Sequence, residues 1–271
     1  MQLKLIRHLW GLDEPWETLF PKIAAAGFTG IETAAPPPDE RSRFRDRLRA
    51  HGLDFVASTF TRGVTVEDHL DSLRRQLEEA ATLEPLLIGC HGGRDAWSWS
   101  QCEQFFEGAL EAEKAIGLPV AHETHRGRPL YSPWTTRDLL SAFPDLHLCA
   151  DLSHWVVVAE RLLDNEVDII KQAAAHTIHI HARVGYEEGP QVPDPRAPEY
   201  ARHLDAHEHW WDMIWDKQEA RGMAVSTLTP EFGPPMYLHT LPYSNVPVAD
   251  LWDVCTWQAQ RQARRFALRS A

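Results

Sequence analysis

Side chains that could bind a metal ion stand at the ends of four short apolar segments in the second half of the chain. Each segment reads as a β-strand that stops at a carboxylate or a histidine. Burying a carboxylate there is costly unless a cation or a hydrogen-bond donor meets it. Four successive strands ending this way predict a shared ion at one rim. The donors are Glu123, Asp151, a histidine of TIHIHAR (Thr177–Arg183) and Glu231.

The histidine donor comes from a strand that carries two histidines. Side chains alternate along a strand, so His179 and His181 point the same way while Ile178 and Ile180 point the other way. We favour His181 as the ligand because it lies nearer the carboxyl end of the strand, where the other donors stand. His179 would then orient a ligand carboxylate without binding the ion itself. The alternative, with His179 as the ligand and His181 in the supporting role, stays open.

The donor set indicates the kind of ion and the kind of chemistry. Two glutamates, one aspartate and one histidine favour Mn²⁺ or Mg²⁺, with Co²⁺ and Zn²⁺ as alternatives. Such an ion polarises a carbonyl and stabilises the enediolate that forms when a neighbouring carbon loses its proton. Glutamates beside the ion can take that proton and return one on the other face. The same groups could instead expel water, so isomerase, epimerase and dehydratase chemistry all remain open.

Strand-like and helix-like segments alternate through the chain, which favours a parallel sheet with crossover helices. The eight predicted strands are Leu3–His8, Gly30–Thr33, Asp54–Thr59, Pro85–Gly89, Leu118–Glu123, Leu146–Ala150, Thr177–Ala182 and Ala224–Thr229. The predicted helices are Pro15–Ala26, Asp39–His51, Val66–Leu83, Ser100–Gly117, Thr135–Phe143, Arg161–His176, Tyr200–Arg221 and Val248–Leu268. Eight such units predict one (β/α)8 TIM barrel over residues 1–271. The alternative, a doubly wound open sheet, lacks a GxGxxG or GxxxxGK[ST] motif.

Composition restricts the partners. A formal net charge of −12 disfavours nucleic acid, which needs clustered Lys and Arg. No apolar run approaches the roughly 20 residues that cross a bilayer, and no signal peptide is recognisable. The four scattered cysteines fit reduced thiols in a cytoplasmic protein. The tryptophans of the last two predicted helices suit the core or a subunit interface, so a homo-oligomer is an open alternative.

Further polar and aromatic residues fall at or just after predicted strands, on the face where barrels carry their active sites. A tryptophan there would suit the apolar face of a sugar ring. We predict that four of these residues contact the substrate and that Glu32 supports the ligands. The four are His8, Trp10, His91 and His125.

Several short motifs together resemble the xylose-isomerase-like TIM barrels, which include the AP-endonuclease-2-like family. The motifs are AAGFTGIET (Ala25–Thr33), AHETH (Ala121–His125), DLSH (Asp151–His154), the HxH pair and PEFGP (Pro230–Pro234). This superfamily holds sugar isomerases, epimerases, hydroxypyruvate isomerase, inosose dehydratase and an endonuclease branch. The resemblance implies a barrel that acts on a small sugar-like substrate. An endonuclease or a binding protein that performs no reaction remain weaker alternatives.

The resemblance also implies roles for individual residues. Glu123, Asp151, His181 and Glu231 look like the metal ligands, with the two glutamates doubling as the acid–base pair. His154 matches a histidine that contacts a substrate oxygen in ketose 3-epimerases.

The sequence departs from the ketose 3-epimerases at two positions. Glu187 and Pro129 stand where those enzymes carry an arginine and a glutamate. Arg183 is a candidate replacement for the arginine. Arg126 and Arg128 stand just before Pro129. Arginines at that place would suit a carboxylate or phosphate on the substrate.

Overall fold

A computed structural model describes residues 1–269. Its eight parallel strands pair in chain order and close into a barrel, β1 pairing with β8. This is the predicted (β/α)8 fold. The strands are β1 Gln2–His8, β2 Gly30–Thr33, β3 Asp54–Phe60, β4 Leu87–His91, β5 Val120–Glu123, β6 Leu148–Ala150, β7 Thr177–His181 and β8 Val225–Thr229.

Helices cover the outside of the barrel. Within the described residues they are α1 Trp16–Ala25, α2 Arg41–His51, α3 Val66–Ala81, α4 Trp99–Ile116, α5 Pro133–Ala142, α6 Ser153–Ala159, α7 Val167–His176, α8 Ala201–Ala220 and α9 Leu251–Leu268. Local signals fix several of their ends. Thr65 and Ser98 form capping boxes at the starts of α3 and α4, and Gly52 ends α2 in the left-handed conformation.

Several predicted elements have shorter ends in the structure, and two differ by more than that. The fourth strand was predicted at Pro85–Gly89 but lies two residues later, because its first pairing with β3 is between Val56 and Leu87. The helix predicted at Arg161–His176 starts only at Val167, and the separate short helix α6 precedes it. Glu160 ends α6 in a left-handed conformation, which interrupts the helix.

The barrel encloses an inner apolar layer, while a larger core lies between strands and helices. The inner layer comprises Ile6, Val56, Leu87, Ala121 and Cys149. Since inward positions recur every second residue, the next inward residues are polar: His8 on β1, Glu123 on β5 and Asp151 directly after β6. The apolar layer therefore forms the floor beneath the rim of polar residues.

The two isoleucines of β7 pack differently from each other. Ile180 lies in the outer core, as its position opposite the histidines predicts. Ile178 packs against the inner layer instead. It lies beside the register shift between β6 and β7, at Leu148 and Cys149.

The loop that follows β7 is anchored to the loop that follows β8. Gln191 donates its side-chain Nε2 to Gly233 O at 3.2 Å and accepts the Gly233 N–H at 2.7 Å. Gln191 is buried, so much of this proline-rich segment is packed structure. In residues 1–269 no helix combines the length and the apolar character needed to cross a membrane.

Candidate metal centre and active site

Four buried side chains converge at the carboxyl ends of β5 to β8. One donor atom from each of Glu123, Asp151, His181 and Glu231 lies within 4.8 Å of every other. Each residue is 4% exposed or less. Glu123 and His181 are the last residues of β5 and β7, whereas Asp151 and Glu231 follow β6 and β8 directly or by two residues. The geometry therefore brings together the four residues that the sequence predicted as ligands.

Glu32 holds the ring of His181 from below. Its Oε1 lies 3.0 Å from His181 Nε2, and its Oε2 lies 3.3 Å from His179 Nε2. Thr229 donates its hydroxyl to Oε2 at 2.6 Å. A carboxylate on Nε2 fixes that ring proton and leaves Nδ1 facing the other ligand candidates, 2.8 Å from Glu231 Oε2. His179 thus lies beside Glu32 and Thr227, and contacts these groups rather than a ligand carboxylate.

Several buried acceptor atoms of the cluster make no hydrogen bond of acceptable geometry among the described residues, although three of them lie within 4.0 Å of a histidine or arginine nitrogen. They are both carboxylate oxygens of Glu123, Oδ2 of Asp151, Oε2 of Glu231 and Nδ1 of His181. Buried polar atoms without well-aligned hydrogen-bond partners are costly in a folded protein. Because these atoms surround one space and are mostly hard oxygen donors, the residues fit a divalent cation.

Arg183 is the cation that the chain itself places in this cluster. It is 2% exposed, with Nη2 at 2.6 Å from Glu231 Oε2 and Nε at 3.2 Å from Asp151 Oδ2. Its position two residues after His181 keeps it on the inward face. Burial opposes its charge, but Glu231 and Asp151 outweigh burial and raise the pKa of Arg183.

The three carboxylates respond differently to their surroundings. Burial would raise the pKa of Glu123, but His91 and His181 outweigh it and hold that pKa well below its usual range. Arg183 and His181 likewise overcome burial and lower the pKa of Glu231. Burial dominates at Asp151: despite Arg183, it raises the pKa to about 7, aided by the charges of Glu231 and Glu123. The two glutamates are therefore ionised at neutral pH.

A cavity of about 440 Å³ lies above these groups. It is lined by His8, Leu9, Trp10, Thr33, Ala34, Ser58, Phe60, His91, His125, Arg128, Arg183, Glu231 and Tyr237. Five of the residues predicted to contact substrate are among them: His8, Trp10, His91, His125 and Arg183.

The walls of this cavity are aromatic as well as polar. His91 Nε2 lies 2.7 Å from Glu123 Oε2, and Phe60 stacks on the His91 ring with 4.4 Å between centroids. On the opposite wall, Trp10 and Tyr237 meet edge to face at 5.1 Å. His91, Glu123 and His125 form a second group whose donor atoms lie within 4.8 Å of one another.

His154 is placed behind the cavity wall. It lies in the first turn of α6, is fully buried, and is absent from the lining of the cavity described above. Its ring is 3.9 Å from that of His125, and its Nε2 is 3.6 Å from Asp151 Oδ2. Burial, with His125 and Arg183, lowers the pKa of His154 well below its usual range, so the ring is neutral.

Sequence reasoning missed Phe60 and Tyr237. Phe60 is the last residue of β3, one position beyond the predicted end of that strand, so the strand-end rule could have found it. Tyr237 lies in the irregular segment after β8, where no periodicity points to it. Its contact with Arg183, 4.7 Å from guanidinium carbon to ring centroid, depends on the folded path of that segment.

Comparison with known proteins supports the same fold and identifies the family. Residues 20–233 match the family model described as xylose isomerase-like TIM barrel, and the chain belongs to that family. Comparison with curated proteins finds no match.

Solved structures share the barrel at low sequence identity. A probable 3-DHS dehydratase from Bacillus anthracis has a TM-score of 0.63 and 14% identity, covering 96% of this chain and 98% of its own. An AP endonuclease, family 2, from Brucella melitensis has a TM-score of 0.60 and 17% identity, covering 88% and 95%. A sugar phosphate isomerase/epimerase from Parabacteroides distasonis has a TM-score of 0.61 and 12% identity, covering 95% and 92%. At these identities the likeness concerns the fold.

Proposed function

We propose that this protein is a divalent-metal-dependent isomerase or epimerase of a small sugar or sugar-like polyol. The observation that carries the proposal is the cluster of Glu123, Asp151, His181 and Glu231, whose donor atoms lie within 4.8 Å of one another. The family and the names of the structural neighbours are in keeping with it.

The donor set favours Mn²⁺ or Mg²⁺, with Co²⁺ and Zn²⁺ as alternatives. A bound ion of this kind would polarise a carbonyl and stabilise negative charge on the substrate oxygens. The four clustered residues would hold it.

Glu123 and Glu231 would handle the proton. Both are ionised, so either can accept a proton from the carbon next to a carbonyl. They stand at the ends of β5 and β8, separated along the barrel wall by β6 and β7. Because they reach the shared space from different strands, one would remove a proton on one face of the substrate and the other would return one on the opposite face. His91 contacts Glu123 and Arg183 contacts Glu231, which holds each carboxylate in place.

The cavity suits a small polar substrate with an apolar face. Its volume of about 440 Å³ fits a monosaccharide, and Trp10, Phe60 and Tyr237 present aromatic surface. Aromatic groups pack on sugar rings and keep water from a reactive carbanion.

Proton exchange tests the proposal directly. Candidate ketoses are incubated with the protein and Mn²⁺ in deuterated water, and deuterium incorporation is followed by NMR. Glu231→Gln should reduce incorporation at least about 100-fold, as expected for the loss of a general acid–base group. Glu111→Gln, an exposed glutamate on α4, is the matched control and should retain wild-type rates.

Other outcomes separate the rival functions. Loss of water with formation of an enone would indicate a dehydratase in place of an isomerase. Binding of sugar without exchange would indicate a binding protein. Full exchange by Glu231→Gln would contradict the acid–base assignment.

A further inference from the structure

A second cavity of about 390 Å³ lies next to the first. His125 and Arg128 line both, so the two spaces are neighbours on the barrel rim. We call the second cavity the arginine pocket, because its lining includes four arginines: Arg62, Arg94, Arg126 and Arg128.

Hydrogen bonds hold the loops that carry these arginines in a fixed relation. The Gly93 N–H, in the loop after β4, donates to Thr61 Oγ1, in the loop after β3, at 3.0 Å. Arg128 Nη1, in the loop after β5, donates to Gly93 O at 2.9 Å. Asp95 N–H donates to Gly127 O at 3.3 Å, which joins the loops after β4 and β5 a second time. The three loops therefore present their arginines to one space.

Within residues 1–269, none of these four arginines forms an ion pair with a carboxylate within 4.0 Å. Asp95 affects Arg128 only at longer range, and Arg126 lies over the Tyr237 ring at 5.4 Å. The arginines of α9 are different: Arg261 and Arg265 each pair with an acid of α8 at 2.6 Å. A cluster of unpaired cations is unexpected in a chain of net charge −12. Its positive potential is available to a bound anion.

His69 connects the lining of the pocket to the loops that carry the arginines. It is 2% exposed and lies in the lining. Its Nδ1 is 2.6 Å from Thr61 Oγ1, which also accepts the Gly93 N–H. The buried ring therefore helps to fix the loops after β3 and β4 beside each other.

We propose that the arginine pocket binds an anionic group of the substrate, a phosphate or a carboxylate, while the reacting carbons lie against Glu123 and Glu231. This rests on the proposed function. Guanidinium groups bind both anions through paired hydrogen bonds. Four unpaired guanidiniums carry more charge than one carboxylate needs, which favours the phosphate dianion. The overall negative charge of the chain favours a small anionic molecule over nucleic acid.

Anion binding is tested without metal or turnover. Inorganic phosphate is titrated into the chelator-treated protein by calorimetry, with acetate and a short DNA duplex as comparison ligands. The double variant Arg94→Gln/Arg126→Gln should weaken phosphate binding about tenfold or more, since it removes two charged donors. Arg75→Gln removes an exposed arginine of α3 that lines neither cavity, and it should bind phosphate like the wild type.

The outcomes decide the proposal. Tighter binding of acetate than of phosphate would identify the anion as a carboxylate. No phosphate or acetate binding by the wild type, equal losses in the double variant and the control, or tighter binding of DNA would overturn it.

Exchange measurements then distinguish this proposal from the proposed function. D-fructose, its 6-phosphate and its 6-carboxylate are compared by deuterium incorporation. We expect kcat/KM to be about 10- to 100-fold higher for an anionic ketose, with the preference lost in the double variant. Exchange without anion preference would refute the pocket and leave the isomerase proposal standing. Arginine-dependent phosphate binding without any exchange would support the pocket and refute the isomerase proposal.

Discussion

Glu32 is the residue on which the histidine side of the candidate metal centre depends. It accepts contacts from His179 and His181 and a hydrogen bond from Thr229, all within the buried barrel. Glu32→Gln would place an amide N–H₂ or a weaker acceptor against two histidine nitrogens. Because such supporting carboxylates orient metal ligands, we expect Mn²⁺ affinity to fall about 10- to 100-fold, measured by calorimetry.

Glu111→Gln is the control for that measurement, since it makes the same chemical change on the exposed face of α4. Unchanged Mn²⁺ affinity in Glu32→Gln would show that His181 needs no support from below.

A buried histidine–glutamate pair lies outside the candidate site and predicts a pH-dependent stability. His122 Nε2 is 2.7 Å from Glu113 Oε1. Burial would lower the pKa of His122, but Cys90 and Glu113 outweigh it and raise the pKa to about 10. A folded-state pKa above the unfolded value stabilises the protein fully below about pH 6.5, and this contribution is lost as the pH rises towards 10.

Glu113→Gln should therefore destabilise the protein at pH 6 by about 3 kcal/mol, because it leaves a buried charge unpaired. The difference from wild type should shrink between pH 6 and pH 10 in urea unfolding. A difference that is constant with pH would mean that His122 is neutral in the folded protein.

At the level of single residues, strand alternation made much of the candidate metal centre predictable. The spacing of two residues placed His179, His181 and Arg183 on one face. His91 and Glu123 share the rim because each is the last residue of a parallel strand. The arginine pocket was harder to predict. Arg62 and Arg94 lie in loops after different strands, and only the hydrogen bonds between those loops bring them together.

Among the elements, the loops after β4 and β5 each contain a glycine with positive φ, and the two glycines have different surroundings. Gly93 has φ +75°, and an added Cβ would lie 2.7 Å from both Pro129 Cγ and Trp97 Cζ3. Gly127 has φ +81° but no atom within 4 Å of an added Cβ. Both alanine variants carry backbone strain, whereas only one is overpacked.

We therefore expect Gly93→Ala to lower the free energy of unfolding by about 1–3 kcal/mol more than Gly127→Ala does. Equal losses in chemical denaturation would mean that the neighbouring ring and indole move aside freely.

Periodicity predicted the order and type of the helices and strands but not every boundary. The helical segment after β6 was predicted as one helix from Arg161, yet α6 begins at Ser153. The VVV run at Val156–Val158 has weak helix propensity, and tertiary packing of the fully buried Trp155 outweighs it. Strand β4 extends to His91 because pairing with β3 continues to Phe60. Such pairing depends on the neighbouring strand and not on the local sequence.

For the whole molecule, the carboxylate cluster predicts that a bound ion stabilises the fold. An ion that binds only the folded state stabilises it by RT ln(1 + [L]/Kd), about 2.7 kcal/mol at 100 times Kd. Mn²⁺ should therefore raise the Tm, and chelation should reverse the effect. Asp151→Asn/Glu231→Gln should abolish the shift. A Tm that does not respond to any of the four candidate ions would contradict the metal centre.

The closure of β1 against β8 has a consequence for biosynthesis. Trp10 packs on Gly233, where an added Cβ would lie 2.4 Å from the indole, and Gln2 pairs with Val225. One wall of the cavity thus joins residues that leave the ribosome more than two hundred positions apart. A nascent chain holds Glu123 and Asp151 long before Glu231 is synthesised, so the proposed metal site is incomplete part-way through translation. Under the proposed function, catalytic activity would be acquired in a single late event, when the final strand docks.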